Sequence, residues 1–125
     1  GMNNIFKGKI LDITNDEVMI QSHKKIIAQG MEGLRIGEEV TWCIRPDQVM
    51  VVREDRPLGK AVDSNIYSGN ITEIISNGAT YLLYIEGDFD LEIEIPTHAF
   101  EKLGLEEGKI IRISLKKTAI HMIKE

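Results

Sequence analysis

Apolar and polar residues alternate over most of this chain with the period of two expected of half-buried strands. The clearest case is 88–95. Phe89, Leu91, Ile93 and Ile95 fall on one face, and Asp88, Asp90, Glu92 and Glu94 on the other. Segments 5–13 and 66–75 alternate in the same way, each interrupted by a glycine, Gly8 and Gly69. A glycine inside a strand predicts a bulge or sharp bend of the kind small barrels use at their corners. Segments 18–20 and 25–28 flank Ser22-His23-Lys24 as a hairpin, and Asn77-Gly78 is a turn sequence ahead of a strand over 80–85. After Pro96, residues 97–103 predict one or two helical turns, with Gly104 placed to end them.

The pattern repeats. Asn4-Ile5-Phe6-Lys7-Gly8-Lys9-Ile10 returns 61 residues later as Asn65-Ile66-Tyr67-Ser68-Gly69-Asn70-Ile71. Gly33-Leu34-Arg35-Ile36-Gly37 returns 71 residues later as Gly104-Leu105-Glu106-Glu107-Gly108, so the second copy carries about ten extra residues in its middle. Each copy ends in two alternating runs, 40–52 and 110–123. The charged stretch 54–60, with Pro57 and Gly59, reads as a linker. The organisation expected is therefore a first repeat over 1–55 and a second over 56–125. Many short strands and hardly any helix predict an all-β chain of tandem OB-like small barrels with one short helical turn. Each copy is too small for an ample core of its own, so the two are expected to pack together and share strands or an interface.

Composition narrows the function. The chain has 125 residues, 42% hydrophobic and 28% charged, as in ordinary soluble domains. Its longest apolar run, 81–85, fits a strand rather than a membrane span. A lone cysteine, Cys43, excludes an internal disulfide and a cysteine-based zinc site. The net charge is −5, and it is uneven: residues 1–61 hold nine basic and nine acidic side chains, residues 62–125 six and eleven. That balance argues against non-specific nucleic-acid binding and against an anionic membrane surface. No Gly-x-x-x-x-Gly-Lys-Ser/Thr phosphate loop and no nucleophilic triad is present.

Three motifs carry a family resemblance: Asn-Ile-aromatic-x-Gly-x-Ile at 4–10 and 65–71, Leu-Gly-Leu-x-x-Gly-Lys at 103–109, and Ser-Leu-Lys-Lys-Thr-Ala-Ile-His at 114–121. Together they resemble the TOBE domain and the related MOP-type molybdate-binding domain. Ile44-Arg45-Pro46-Asp47-Gln48-Val49 resembles a signature from the C-terminal regions of ABC importer ATPases. The resemblance implies a cytoplasmic, non-catalytic regulatory module, peripheral to the inner membrane through its transporter. Its implied partners are a second copy in a homodimer, the ATPase core and the permease. It implies no cofactor, with molybdate or tungstate as the ligand. The alternatives are a free-standing molybdate or tungstate storage protein and an OB-type nucleic-acid binder.

A tetrahedral dianion needs convergent hydroxyl, amide and cationic donors. Carried over from the MOP pattern, the candidate residues are Asn65, Thr97, Lys116 and Thr118. Ser64 stands where the pattern has an arginine, and Thr97 lies one position out of register. In the first copy Arg45, Pro46 and Asp47 occupy the positions of Lys116, Lys117 and Thr118, and Asp47 is expected to cap a turn. The carboxylates at 88–94 read as a solvated face guarding a strand edge. Trp42 reads as packing, and His121, opposite Met50 in the repeat, as half-buried.

Overall fold

The computed structural model describes residues 4–55 and 65–125; the linker residues 56–60, the repeat boundary and Ser64 lie outside them. Ten strands account for most of the described chain. They are β1 (Ile5–Ile13), β2 (Glu17–Gln21), β3 (Lys25–Gln29), β4 (Glu39–Cys43), β5 (Val49–Val51), β6 (Ile66–Ser76), β7 (Thr80–Gly87), β8 (Leu91–Pro96), β9 (Ile110–Leu115) and β10 (His121–Lys124). One helix, α1 (Thr97–Leu103), follows Pro96 and ends at Gly104 in the left-handed region, φ 62°. Phe100 on α1 stacks on Tyr81 with ring centroids 3.9 Å apart.

The strands form two five-stranded antiparallel sheets, ordered β10-β4-β1-β2-β3 and β5-β9-β6-β7-β8. The last strand of each half is exchanged. β5 pairs with β9 in register Val49↔Leu115, and β10 pairs with β4 in register His121↔Cys43. Each exchanged strand follows a single 3-10 turn, Pro46–Gln48 before β5 and Lys117–Ala119 before β10. Sharing strands answers the shortage of core: Ile20, Ile26, Trp42 and Ile44 join Ile71, Ile85, Ile93 and Leu115 in one buried cluster.

Phe89 sits where the halves meet. Its ring is edge-on to Trp42 at 5.3 Å and to Tyr67 at 4.9 Å, while Phe6 stacks on Trp42 at 4.6 Å. Such pairs add about 0.5–1.5 kcal/mol each beyond their burial. Trp42 is thus a core residue, as its setting predicted.

The halves are related residue by residue. Ile10 N donates to Glu38 O and Ile71 N to Lys109 O, both at 2.9 Å; Gly37 N donates to Ile10 O and Gly108 N to Ile71 O, both at 2.7 Å. The bulges also correspond, between Ile10 and Asp12 and between Ile71 and Glu73. They do not fall at the glycines. Gly8 and Gly69 serve close approach instead: a Cβ there would lie 2.4 Å from Ile20 Cγ2 and 2.3 Å from Ile85 Cγ2.

Two further expectations change. Leu91, Ile93 and Ile95 do face the core from β8, an edge strand. Asp88 leaves the carboxylate stripe for the preceding turn, where Oδ2 accepts from Ser68 N at 2.9 Å. His121 is exposed, because β10 is an edge strand and alternation turns His121 away from the core.

Candidate functional site

The sequence-derived site divides between two ends of β6. Asn65 immediately precedes β6, whose 11 residues span roughly 35 Å of strand path at about 3.3 Å each. Thr97 lies beyond the other end, where its N–H donates to Ala79 O at 3.0 Å and its Oγ1 to Gly78 O at 2.9 Å. The fold does not bring Thr97 to the other three residues within one chain.

Asn65, Lys116 and Thr118 do share one corner. Leu115 N donates to Asn65 O at 3.1 Å, and Asn65 Nδ2 donates to Leu115 O at 2.9 Å. Lys116 follows directly and starts the 117–119 turn, closed by Ala119 N donating to Lys116 O at 2.9 Å. Lys116 is half-buried and Thr118 exposed.

The Asn65 side chain has another task, however. Its Oδ1 accepts from Ile27 N at 2.8 Å, and its Nδ2 donates to Ile27 O at 2.7 Å. With the Leu115 bond, both amide hydrogens are used. Asn65 therefore clamps edge strand β3 to the start of β6 and has no side-chain donor left for a ligand. Its φ of 54° places it in the left-handed region, which asparagine tolerates better than most residues. Tyr67 reinforces the clamp, its hydroxyl donating to Lys25 O at 2.5 Å. Burial, and then the charge of Asp88, push the Tyr67 phenol up to about 12.

The cations of this corner differ in their commitments. Lys117 is ion-paired with Glu17 on β2, which holds its ammonium above the usual lysine range by hydrogen bonding first and charge second. Lys116 makes no hydrogen bond or ion pair among the described residues. Its ammonium is thus an uncommitted positive charge at the corner, with the Thr118 hydroxyl in the same turn.

The equivalent corner in the first half has the same main-chain hydrogen bonds and opposite chemistry. Asn4, fully buried, clamps β8 as Asn65 clamps β3: Glu92 N donates to its Oδ1 at 2.7 Å, and its Nδ2 donates to Glu92 O at 2.8 Å. Pro46 opens the 46–48 turn. Asp47 does not cap that turn; its carboxylate pairs with Arg45 Nη2 at 2.8 Å instead. Where the second corner faces Ile27, the first faces Glu92.

The partners Glu17, Ile27 and Tyr67 were not identified from sequence. Ile27 and Asn65 are 38 residues apart and Glu17 and Lys117 are 100 apart, so no local pattern marks them. The repeat offered one clue, the recurrence of Asn4 as Asn65.

No family model and no curated protein sequence matches the chain. Among solved structures, it is similar to the cytoplasmic molybdate-binding protein ModG, solved with molybdate bound. The TM-score is 0.82 and the identity 18%, covering 100% of this chain and 98% of that one. The fold is thus that of a pair of OB-like β units. No helix among the described residues is long and apolar enough to cross a membrane.

Proposed function

We propose that this chain is a non-catalytic oxyanion-binding protein of the molybdate or tungstate type, acting in the cytoplasm as a free-standing carrier or store. Lys116 supplies the charge, Thr118 a hydroxyl, and Asn65 holds their turn in place. The observation that carries this reading is the uncommitted Lys116 ammonium beside the fully committed Asn65 amide and the ion-paired Lys117. A chain of net charge −5 repels a dianion in general, so an unneutralised cation among ordered donors marks where one would settle. The similar fold of ModG, a molybdate-binding protein matched over nearly its whole length, supports the free-standing role above that of a transporter-ATPase regulatory region.

Calorimetric titration with molybdate, tungstate and sulfate tests the proposal. Saturable binding of molybdate or tungstate is expected, weakened at least tenfold by Lys116→Ala. Absence of heat with every oxyanion at millimolar concentration would reject the function, and an unchanged affinity in Lys116→Ala would reject the assigned corner.

A further inference from the structure

The two corners share their main-chain hydrogen bonds. Ile44 N donates to Asn4 O at 3.1 Å, as Leu115 N does to Asn65 O; Gln48 N donates to Arg45 O at 2.9 Å, as Ala119 N does to Lys116 O. Both turns begin with a cation and both lead into an exchanged strand. The side chains around them differ. The third position is Thr118 in one corner and Asp47 in the other, and the clamped residue opposite is Ile27 in one and Glu92 in the other.

From this we infer that the first corner is an anion site closed by the protein's own carboxylate, with Asp47 holding the Arg45 guanidinium in place of an external tetrahedral oxyanion. The inference rests on the reading of the Lys116 corner given above. Arginine suits such a ligand better than lysine, since its planar fork offers five donors to oxyanion oxygens. In this corner one of them, on Nη2, is hydrogen-bonded to Asp47 Oδ2. The Asp47 carboxylate is tethered two residues away, so an external anion must compete with a group already held at high effective concentration. The pair is open to solvent, with the Arg45 and Asp47 side chains 60% and 39% exposed, so exchange is not sterically barred. Occupancy would thus be confined to one corner per chain, and the first half would keep the architecture of a site while its ligand is built in.

Equilibrium dialysis against molybdate, comparing the intact protein with Asp47→Thr/Glu92→Ile and with Asp47→Asn, tests the inference. Thr and Ile reproduce the second corner; Asn keeps the shape of Asp47 and removes only its charge. Each variant is expected to bind one more anion per chain than the wild type, and adding Arg45→Ala is expected to abolish the gain. Asp47→Asn serves as the test if the double variant does not fold. No gain in a folded variant, or two anions already bound by the wild type, would overturn the inference. It stands or falls on the difference between variant and wild type, whereas the Lys116 corner is judged by wild-type binding and its loss in Lys116→Ala.

Discussion

Ile27 is held by the Asn65 side chain through both of its main-chain polar groups, at 2.8 Å and 2.7 Å. The amide thus imitates one residue of a neighbouring strand where the true sheet edge ends. Asn65→Ala should destabilise the protein by about 2–4 kcal/mol, from lost hydrogen bonds and a Cβ forced into the left-handed region. Asn65→Gly loses the same bonds without that backbone penalty, so it should be about 1 kcal/mol less harmful. Urea denaturation of the two variants checks this; equal losses would contradict a conformational role for asparagine.

Gly69 and Ile85 should prove energetically coupled. A Cβ at 69 meets Ile85 Cγ2 at 2.3 Å, well inside contact distance. Gly69→Ala is expected to cost about 1–3 kcal/mol through overpacking. Ile85→Ala opens a cavity when made alone, but should accommodate the added methyl when combined with Gly69→Ala. A double-mutant cycle should show a coupling above about 0.5 kcal/mol. Additive losses would place the strain elsewhere.

Tyr67 should set an alkaline limit on stability. Its phenol titrates near 12 when folded, against 10.0 ordinarily. Between those values the unfolded chain loses a proton that the folded protein keeps, so stability must fall as pH rises from about 10 to 12. Below pH 10 both states are protonated and the effect vanishes. Tyr67→Phe should flatten this limb in thermal melts across that range, while costing about 1 kcal/mol at neutral pH for the bond to Lys25 O.

Glu17 should modulate ligand affinity without touching the ligand. It neutralises Lys117, next to the uncommitted Lys116. Glu17→Gln would leave Lys117 charged at any assay pH below the lysine range and release its field toward the corner. Molybdate affinity should rise severalfold at low salt, and the gain should shrink at high ionic strength. Lys117→Ala, which removes an already paired charge, should change affinity much less than Lys116→Ala. Calorimetry at two salt concentrations distinguishes these outcomes.

The repeat was legible because strands that fill equivalent places in one core must keep apolar residues in register, and Asn4 and Asn65, Gly8 and Gly69, Gly37 and Gly108 mark that register directly. The helical turn at 97–103 was legible from Pro96 and Gly104. The pairing of β5 and β10 was not. Their alternating residues would suit either sheet, and the choice depends on where the short turns at 46–48 and 117–119 aim the chain. The glycines in β1 and β6 were read as bends because composition marks a missing side chain, not the isoleucine that fills its place. Asn65 was read as a ligand because it matches the asparagine of the MOP pattern, and only the fold reveals that Ile27 and Leu115 consume its donors. Lys116 differs because no partner among the described residues reaches it.

The crossing of β10 into the opposite sheet has a consequence for biosynthesis. The sheet begun by β1 lacks its outer strand until residues 121–124 have left the ribosome, so a sheet opened at Ile5 closes only after the other sheet's strands have been made. Closure of that sheet must await β10, and nascent chains stalled before it present the bare β4 edge to any neighbour that can pair with it.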